Sequence, residues 1–411
     1  MTIGTDKSIT VVEIRAAQKR TASGIIKTPC PKSASLSAAT GMQLYCKLDY
    51  LQRTGSFKER GARNALLMLD AGQAIRGVIA ASAGNHALGL AYHGNNLGIP
   101  VTVVMPETAP LTKVKNCQEM GARVLQKGAH ILEAREEASH LEKSEGLTYI
   151  NGFDDPDVIA GQGTMGLEIA EQVPNLDAII CPIGGGGLIS GIALSLKDHN
   201  PNIRIIGVEA QAVSSFAAAM KNGGPILVQM SPSLADGLAV PKVGANAFKI
   251  ASRLVDQFIT VEESDIALAI LRLVELEKAV VEGAAATTLA ACLCGKLPDL
   301  QGKTVVLPLC GGNIDTNILG RVLERGLVKD GRLCRFATEI SDRPGGLAQL
   351  AKAIAEERGS IHQIEHDRAF GGDDISRVHI QCMVETRNFD HFAKIRDRLT
   401  REGFVIKTVM D

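Results

Sequence analysis

Between residue 43 and about residue 327, short apolar runs alternate with stretches whose apolar positions recur every three or four residues. "GVIAA" (77–81), "VTVVM" (101–105), "AIICPI" (178–183), "IRIIGV" (203–208) and "TVVLPL" (304–309) are apolar almost without a break. Strands buried on both faces of a parallel sheet read this way. A helical period marks the stretches beginning near Phe57 and spanning 84–97, 111–120, 130–145, 187–198 and 264–280. This alternation predicts an α/β architecture with helices on both sides of parallel sheets. Loops that follow strand C-termini then become the expected ligand crevices.

The pattern changes near Lys329. Beyond it the order reads strand (332–340), helix (345–357), strand (360–369), strand (375–386), helix (389–402), strand (404–410). Val378, Ile380, Cys382 and Val384 alternate with polar or half-polar residues, as in a sheet covered on one face. Leu347, Leu350, Ala351 and Ile354 form a helical stripe. A βαββαβ order over about 80 residues is that of a small ferredoxin-like module. The expected division is therefore 1–328 and 329–411.

Composition narrows the function. A chain of 411 residues exceeds one core and predicts two or three domains. A net charge of −1 and 3% aromatic residues with no Trp give no basis for a nucleic-acid partner. No apolar run is long enough to span a membrane, and "MTIGTDKSIT" has no basic-then-apolar leader pattern. Nine scattered cysteines without C-x-x-C indicate neither a disulfide framework nor a zinc ribbon. The expectation is a reduced, cytoplasmic protein.

One residue breaks the pattern. In "QRTGSFKERGARNAL" (52–66), Ala62, Ala65, Leu66 and Leu69 share one helical face, and Lys58 falls in the middle of it. Glu59, Arg60 and Arg63 are expected to point around the helix to solvent or a partner. A lysine held toward a core loses its charge readily and becomes a free amine able to condense with an aldehyde.

Three loops could serve such a lysine. "AASAGNHALG" carries a buried strand into Ser82, Ala83, Gly84, Asn85 and His86 at a helix start, where unpaired N–H groups favour an anion. "CPIGGGGLISG" brings Gly184, Gly185, Gly186 and Gly187 to the end of another strand. It imitates a dinucleotide-binding unit, with Glu209 as the ribose acid, but its glycine spacing fails G-x-G-x-x-G and no Gly-Lys-Ser/Thr follows. It reads as a phosphate cradle. "VLPLCGGNID" delivers Cys310 to a sheet edge before a Gly-Gly turn. An inward lysine and a phosphate cradle together call for an aldehyde that bears a phosphate, and pyridoxal 5'-phosphate meets both requirements.

Taken in order, "TGSFKERGA", "SAGNHALG", "GGGGLISG" and "CGGNID" resemble the fold-type II (tryptophan synthase β-like) pyridoxal-phosphate enzymes, over about residues 10–327. The branch most similar is that of the threonine/serine dehydratases, or ammonia-lyases. The tail, with "SDRPGGLAQLAKAIAEERGSI", resembles an ACT regulatory domain. The resemblance implies two parallel-sheet subdomains, the smaller spanning about 50–155. It implies that Lys58 carries the cofactor covalently, with Phe57 beside the ring. Gly184, Gly185, Gly186, Gly187 and Leu188 would bind the phosphate, Asn85 the ring hydroxyl, and Cys310 would face the ring nitrogen. Ser82 to His86 would hold the substrate carboxylate.

A neutral thiol does not force a proton onto the ring nitrogen as a carboxylate would, so prompt loss of a β-substituent suits this ring. The expected reaction is elimination of water from L-threonine, and from L-serine, giving 2-oxobutyrate or pyruvate and ammonia, with freed Lys58 as general base. The alternatives are a serine or aspartate racemase, or a hydroxyaspartate dehydratase, on the same scaffold. Racemases of this kind carry a serine hydroxyl where this chain has Ala83, and a second metal-binding acid where it has Ser215. No metal is therefore expected, with a monovalent ion beside Glu209 left open. Asp236, Gly237 and Glu282 fall where the family lines its pocket, though each also reads as a turn or helix residue, and the charged helix 130–145 reads as a solvated face. For the tail, Asp342, Arg343, Pro344 and Gly345 are the nominated effector loop, at a subunit interface of a homo-oligomer (dimer or tetramer).

Overall fold

The computed structural model describes residues 9–368 and 376–408, which fall into two compact units, 1–315 and 316–411. The amino-terminal octapeptide and the outer ends of the expected strands 360–369, 375–386 and 404–410 lie outside the described residues.

In the first unit all strands are parallel. Five form one sheet in the order Gln43–Lys47, Thr304–Pro308, Ala178–Pro182, Arg204–Ala210, Gln257–Val261. Four form a second, in the order Arg123–Gln126, Val101–Met105, Val78–Ala81, Thr148–Tyr149. The five continuous apolar runs are all strands. Those missed are short or polar, such as Arg123–Gln126, which is not fully buried at any position. The expected helix 264–280 runs as α-helix only over Glu263–Arg272 and continues as a π-turn over Leu273–Glu277, closed by Lys278 at φ +56°.

One helix organises this unit. Pro156–Gln172 is capped by Asp155, whose carboxylate accepts from the N–H groups of Asp157 and Val158, and it is buried continuously from Val158 to Ile169. It touches two other helices at backbone distance, through glycines. A Cβ on Gly161 would lie 2.6 Å from the Arg60 carbonyl oxygen, and one on Gly191 would lie 2.5 Å from that of Ile159. Helix Lys58–Leu67 and helix Gly187–His199 are thereby fixed against a common partner.

Beside these contacts lies a buried ionic cluster, which overturns the expectation for Arg60. Its guanidinium grips Asp49 at 2.7 and 2.8 Å and Glu168 at 2.7 and 2.9 Å, and Glu168 also accepts from Lys47 at 2.6 Å. Lys47 is fully buried and completes its shell with the Thr28 carbonyl and Gln172. Two cations and two anions sum to zero, so the cluster tolerates burial. Burial alone would raise the Asp49 carboxyl, but Arg60 outweighs it and holds the group below the usual carboxylate range. Glu59 is likewise inside, accepting from the Thr54 N–H and from His93 at 3.1 Å, while Arg63 reaches His93 and Ser23. Charge on this helix therefore does not mean exposure. Apart from Thr54 and Ser23, the partners named lie 11 to 108 residues away in sequence.

The second unit contains helix Thr316–Lys329 and a four-stranded antiparallel sheet in the order Ser360–Asp367, Arg377–Glu385, Leu333–Ser341, Lys407–Thr408. With helices Gly346–Glu356 and Phe389–Arg401 this is the ferredoxin-like arrangement. Val378, Ile380, Cys382 and Val384 meet Leu350, Ala353, Ile354, Ile395 and Leu399 in one core. Leu347, expected in the stripe, is exposed, and Ala353 lies on the core side instead. Among the described residues no helix is long and apolar enough to cross a membrane, and all nine cysteines are free thiols.

Removing one carboxylate should show what the ionic cluster contributes. Glu168→Ala leaves Arg60 and Lys47 short of an anion inside the core, and is expected to destabilise by about 3–5 kcal/mol. Denaturant unfolding of the first unit's transition checks this; a loss below about 1 kcal/mol would show that the cluster is not held as described.

Candidate active site

A cavity of about 450 Å³ opens at the C-terminal ends of strands from both sheets of the first unit, lined by all three loops singled out in the sequence. Phe57, Lys58, Ser82, Ala83, Gly84, Asn85, His86, Gly184, Gly185, Gly186, Gly187, Leu188 and Cys310 all contribute to its wall. Asp342, Arg343, Pro344 and Gly345 belong to the second unit. There they form an exposed turn in which Asp342 pairs with Arg368 at 3.0 Å and Gly345, at φ +104°, opens the helix Gly346–Glu356.

Lys58 is the first residue of its helix, and its Nζ donates to the Gly152 carbonyl at 2.7 Å. Burial lowers its pKa to about 8, against a weaker upward pull from acidic neighbours including Glu282. Phe57 presents its ring 5.2 Å from the ammonium, and its N–H donates to the Cys310 carbonyl, tying the lysine to the end of strand Thr304–Pro308. The Cys310 thiol is buried, and burial raises its pKa well above the ordinary value, so it is a neutral group at physiological pH.

The glycine loop has the shape of a cradle. Gly186 sits at φ +93° and Gly187 opens helix Gly187–His199, whose first N–H groups have no acceptor within the helix. A Cβ on Gly185 would meet the Phe153 ring at 2.2 Å, and one on Gly187 would meet the Phe153 carbonyl at 2.3 Å. Only glycine at 185 and 187 lets this backbone pass beneath Phe153.

The third loop is braced by an amide–carboxylate chain. Asn313 Nδ2 donates to Asn85 Oδ1 at 2.8 Å, and Asn85 Nδ2 donates to both carboxylate oxygens of Glu282 at 2.8 and 3.0 Å. Burial pushes Glu282 up to about 7, against the Asn85 hydrogen bond. His86 lies near Ile150 O at 3.1 Å through Nε2. A carbonyl only accepts, so Nε2 carries the hydrogen. Burial depresses the imidazole to about 3, leaving it neutral with Nδ1 free of a partner.

Several lining residues were not singled out from the sequence: Lys113, Arg135, Tyr149, Phe153 and Asn313. Helix Ile131–Glu145 is not simply a solvated face. Ala134 and Ala138 are buried, and Arg135 stacks over the Tyr149 ring at 3.7 Å. That pairing joins residues of two elements and leaves no local signature. Glu209 caps the helix Ser215–Asn222 through the N–H groups of Phe216 and Ala217, at 2.7 and 2.8 Å. Among the described residues no cluster of metal-ligating side chains occurs.

Residues 21–311 match the family model of pyridoxal-phosphate dependent enzymes, and the chain belongs to that family. Within it, the chain is 40% identical to an L-threonine ammonia-lyase of Thermotoga maritima, over 98% of this chain and the whole of that one. Among solved structures it is similar to the processed form of threonine deaminase isoform 2 from Solanum lycopersicum. The two are 35% identical with a TM-score of 0.73, over 76% of this chain and 86% of that one. It is also similar to a serine racemase from Dictyostelium discoideum, at 37% identity and a TM-score of 0.70, over 75% of this chain and 99% of that one. The family cofactor is pyridoxal phosphate. The cavity fits it, offering a half-buried amine, a glycine loop at a helix N-terminus and a neutral buried thiol.

The lysine's lowered pKa has a direct consequence. Only the neutral amine condenses with an aldehyde, so capture of pyridoxal phosphate by cofactor-free protein should speed up as pH rises through about 8 and then level off. Stopped-flow absorbance checks this. A rise continuing toward pH 10.5 would mean an ordinary, solvated lysine.

Proposed function

We propose that this chain is an ammonia-lyase that eliminates water from L-threonine, and also from L-serine, and that the enamine released then takes up water and hydrolyses to 2-oxobutyrate or pyruvate and ammonia. The observation that carries the reading is the pairing of a Lys58 amine near pKa 8 with a neutral Cys310 thiol in one cavity. The full-length likeness to an L-threonine ammonia-lyase supports it.

When bound, the cofactor fixes the substrate's amino group and withdraws electrons from its Cα, which acidifies the Cα proton. Gly184 to Leu188 would hold the phosphate through backbone amides, with Phe57 beside the ring. Asn85 Nδ2 has two hydrogens; one shared between the two Glu282 oxygens would leave the other for the ring oxygen. Cys310, being neutral, would not hold a proton on a ring nitrogen set beside it, and such a ring suits prompt loss of a β-substituent. Lys58, once released, takes the Cα proton, a transfer for which a pKa near 8 is matched to neutral pH. The resulting ammonium can donate a hydrogen bond to the Gly152 carbonyl, 2.7 Å away. The loop Ser82 to His86 receives the substrate carboxylate through backbone N–H groups. His86 contributes position and not a side-chain proton, because its hydrogen-bearing nitrogen is already directed at Ile150. Ala83 presents a methyl group, which cannot carry a proton to the second face of the intermediate, and this favours elimination over racemisation.

The second unit is read as an ACT module that senses an amino acid at Asp342 to Gly345, in a cytoplasmic homo-oligomer. Such regulation requires an effector whose affinity differs between two states of the enzyme.

Purified protein is expected to release 2-oxobutyrate and ammonia from L-threonine, with activity lost at least 10³-fold (an order-of-magnitude figure for losing a general base) in Lys58→Ala. Formation of D-serine from L-serine faster than pyruvate would replace this reading with the racemase one. For the tail, isoleucine, valine, threonine and serine should be screened by thermal shift and by activity. One of them is expected to move both, with both responses lost in Asp342→Ala; no response from any would leave the unit an assembly module.

A further inference from the structure

The cavity wall contains one charged pair that the reading above does not use. Lys113 Nζ lies 3.2 Å from Asp236 Oδ2, and both residues line the cavity. They come from opposite sides of it. Lys113 is on helix Leu111–Glu119, which follows strand Val101–Met105 of the four-stranded sheet, the sheet that also presents the loop Ser82 to His86. Asp236 opens the turn Asp236–Leu238, which rests on the cradle: a Cβ on Gly184 would lie 3.1 Å from Leu238 Cα. The same turn approaches Glu282, whose Oε1 is 3.4 Å from a Cβ built on Gly237.

Two polar ties therefore cross the cavity between the Ser82–His86 side and the Glu282 and cradle side. Asn85 to Glu282 is the inner one and partly buried. Lys113 to Asp236 is the rim one, with side chains 29% and 63% exposed. We infer that the Lys113–Asp236 ion pair is a latch across the mouth of the cavity, holding the substrate-carboxylate loop against the cofactor cradle. This rests on the proposed function for the identity of the substrate, but not for the latch itself. An exposed pair of this kind is weak, which suits a contact that opens at every turnover. The two charges also act in opposite directions on Glu282, Asp236 pushing its carboxyl up and Lys113 pulling it down.

The test uses the holoenzyme, with Lys113→Met, Asp236→Asn and the reversed pair K113D/D236K. Acrylamide, a neutral solute, quenches the emission of the bound cofactor in proportion to its access to the cavity. Each single variant is expected to raise the quenching constant about two- to five-fold, the range of an exposed ion pair. The reversed pair should return it to near the wild-type value. With L-threonine, the single variants should show KM raised by a similar factor and kcat within about two-fold, again with recovery in the reversed pair. Salt near 0.5 M should raise wild-type quenching and leave Lys113→Met unmoved. Single variants with wild-type quenching, or a reversed pair no better than the singles, would overturn the latch. Absence of threonine turnover in the wild type would overturn the proposed substrate, and the quenching result would still decide the latch.

Discussion

The structure depends on the backbone-to-backbone contact of helix Pro156–Gln172 with the helices that begin at Lys58 and Gly187. One of those helices starts with the reactive amine, and the other starts with the phosphate cradle. Glycines at 161 and 191 bring the axes so close that any side chain would separate them. Protein interiors resist such displacement because they are close-packed. The distance between amine and cradle is therefore set by helix packing, not by the mobile ends of the loops. The Arg60 cluster reinforces the same contact, since Arg60 lies two residues beyond Lys58 and binds Glu168 of the central helix.

The electrostatics of the cavity follow from what surrounds each group. Lys58 has a carbonyl and acidic neighbours at some remove, so burial dominates and its amine is easily freed. Arg60, two residues on, has two carboxylates in contact and remains firmly charged. The same helix thus holds one cation stripped of its counter-ion and another fully paired. Cys310 and His86 are neutral for the same reason that Lys58 is reactive: burial without a strong partner. Elimination needs this combination of a free base and a ring that is not forced to store charge.

Much of the catalytic unit was legible in the sequence because its strands are continuous apolar runs and its loops are glycine-rich stretches at strand ends. Both are local signals. Lys58 stood out by breaking a helical face. The fates of Glu59, Arg60 and Arg63 were not legible, because they depend on Asp49, His93 and Glu168, and pairing across such distances leaves no periodicity. Arg135 was hidden for a similar reason, within a helix whose charge count masks one buried side. In the tail, period-2 alternation marked the central strand Arg377–Glu385 clearly. Helix Thr316–Lys329 groups with the tail and not with the unit before it, a boundary that hydrophobic periodicity does not encode.

The central claim is that one lysine, fixed by helix packing, carries the cofactor. Three lysines line the cavity, Lys58, Lys113 and Lys242, so the claim can fail within the site itself. The most direct measurement is to reduce the holoenzyme with borohydride, digest it and locate the pyridoxyl group by mass spectrometry. The account predicts the label on the peptide containing Lys58 alone. Label on Lys113 or Lys242 in the native protein, or retention of a reducible chromophore in Lys58→Ala, would contradict it.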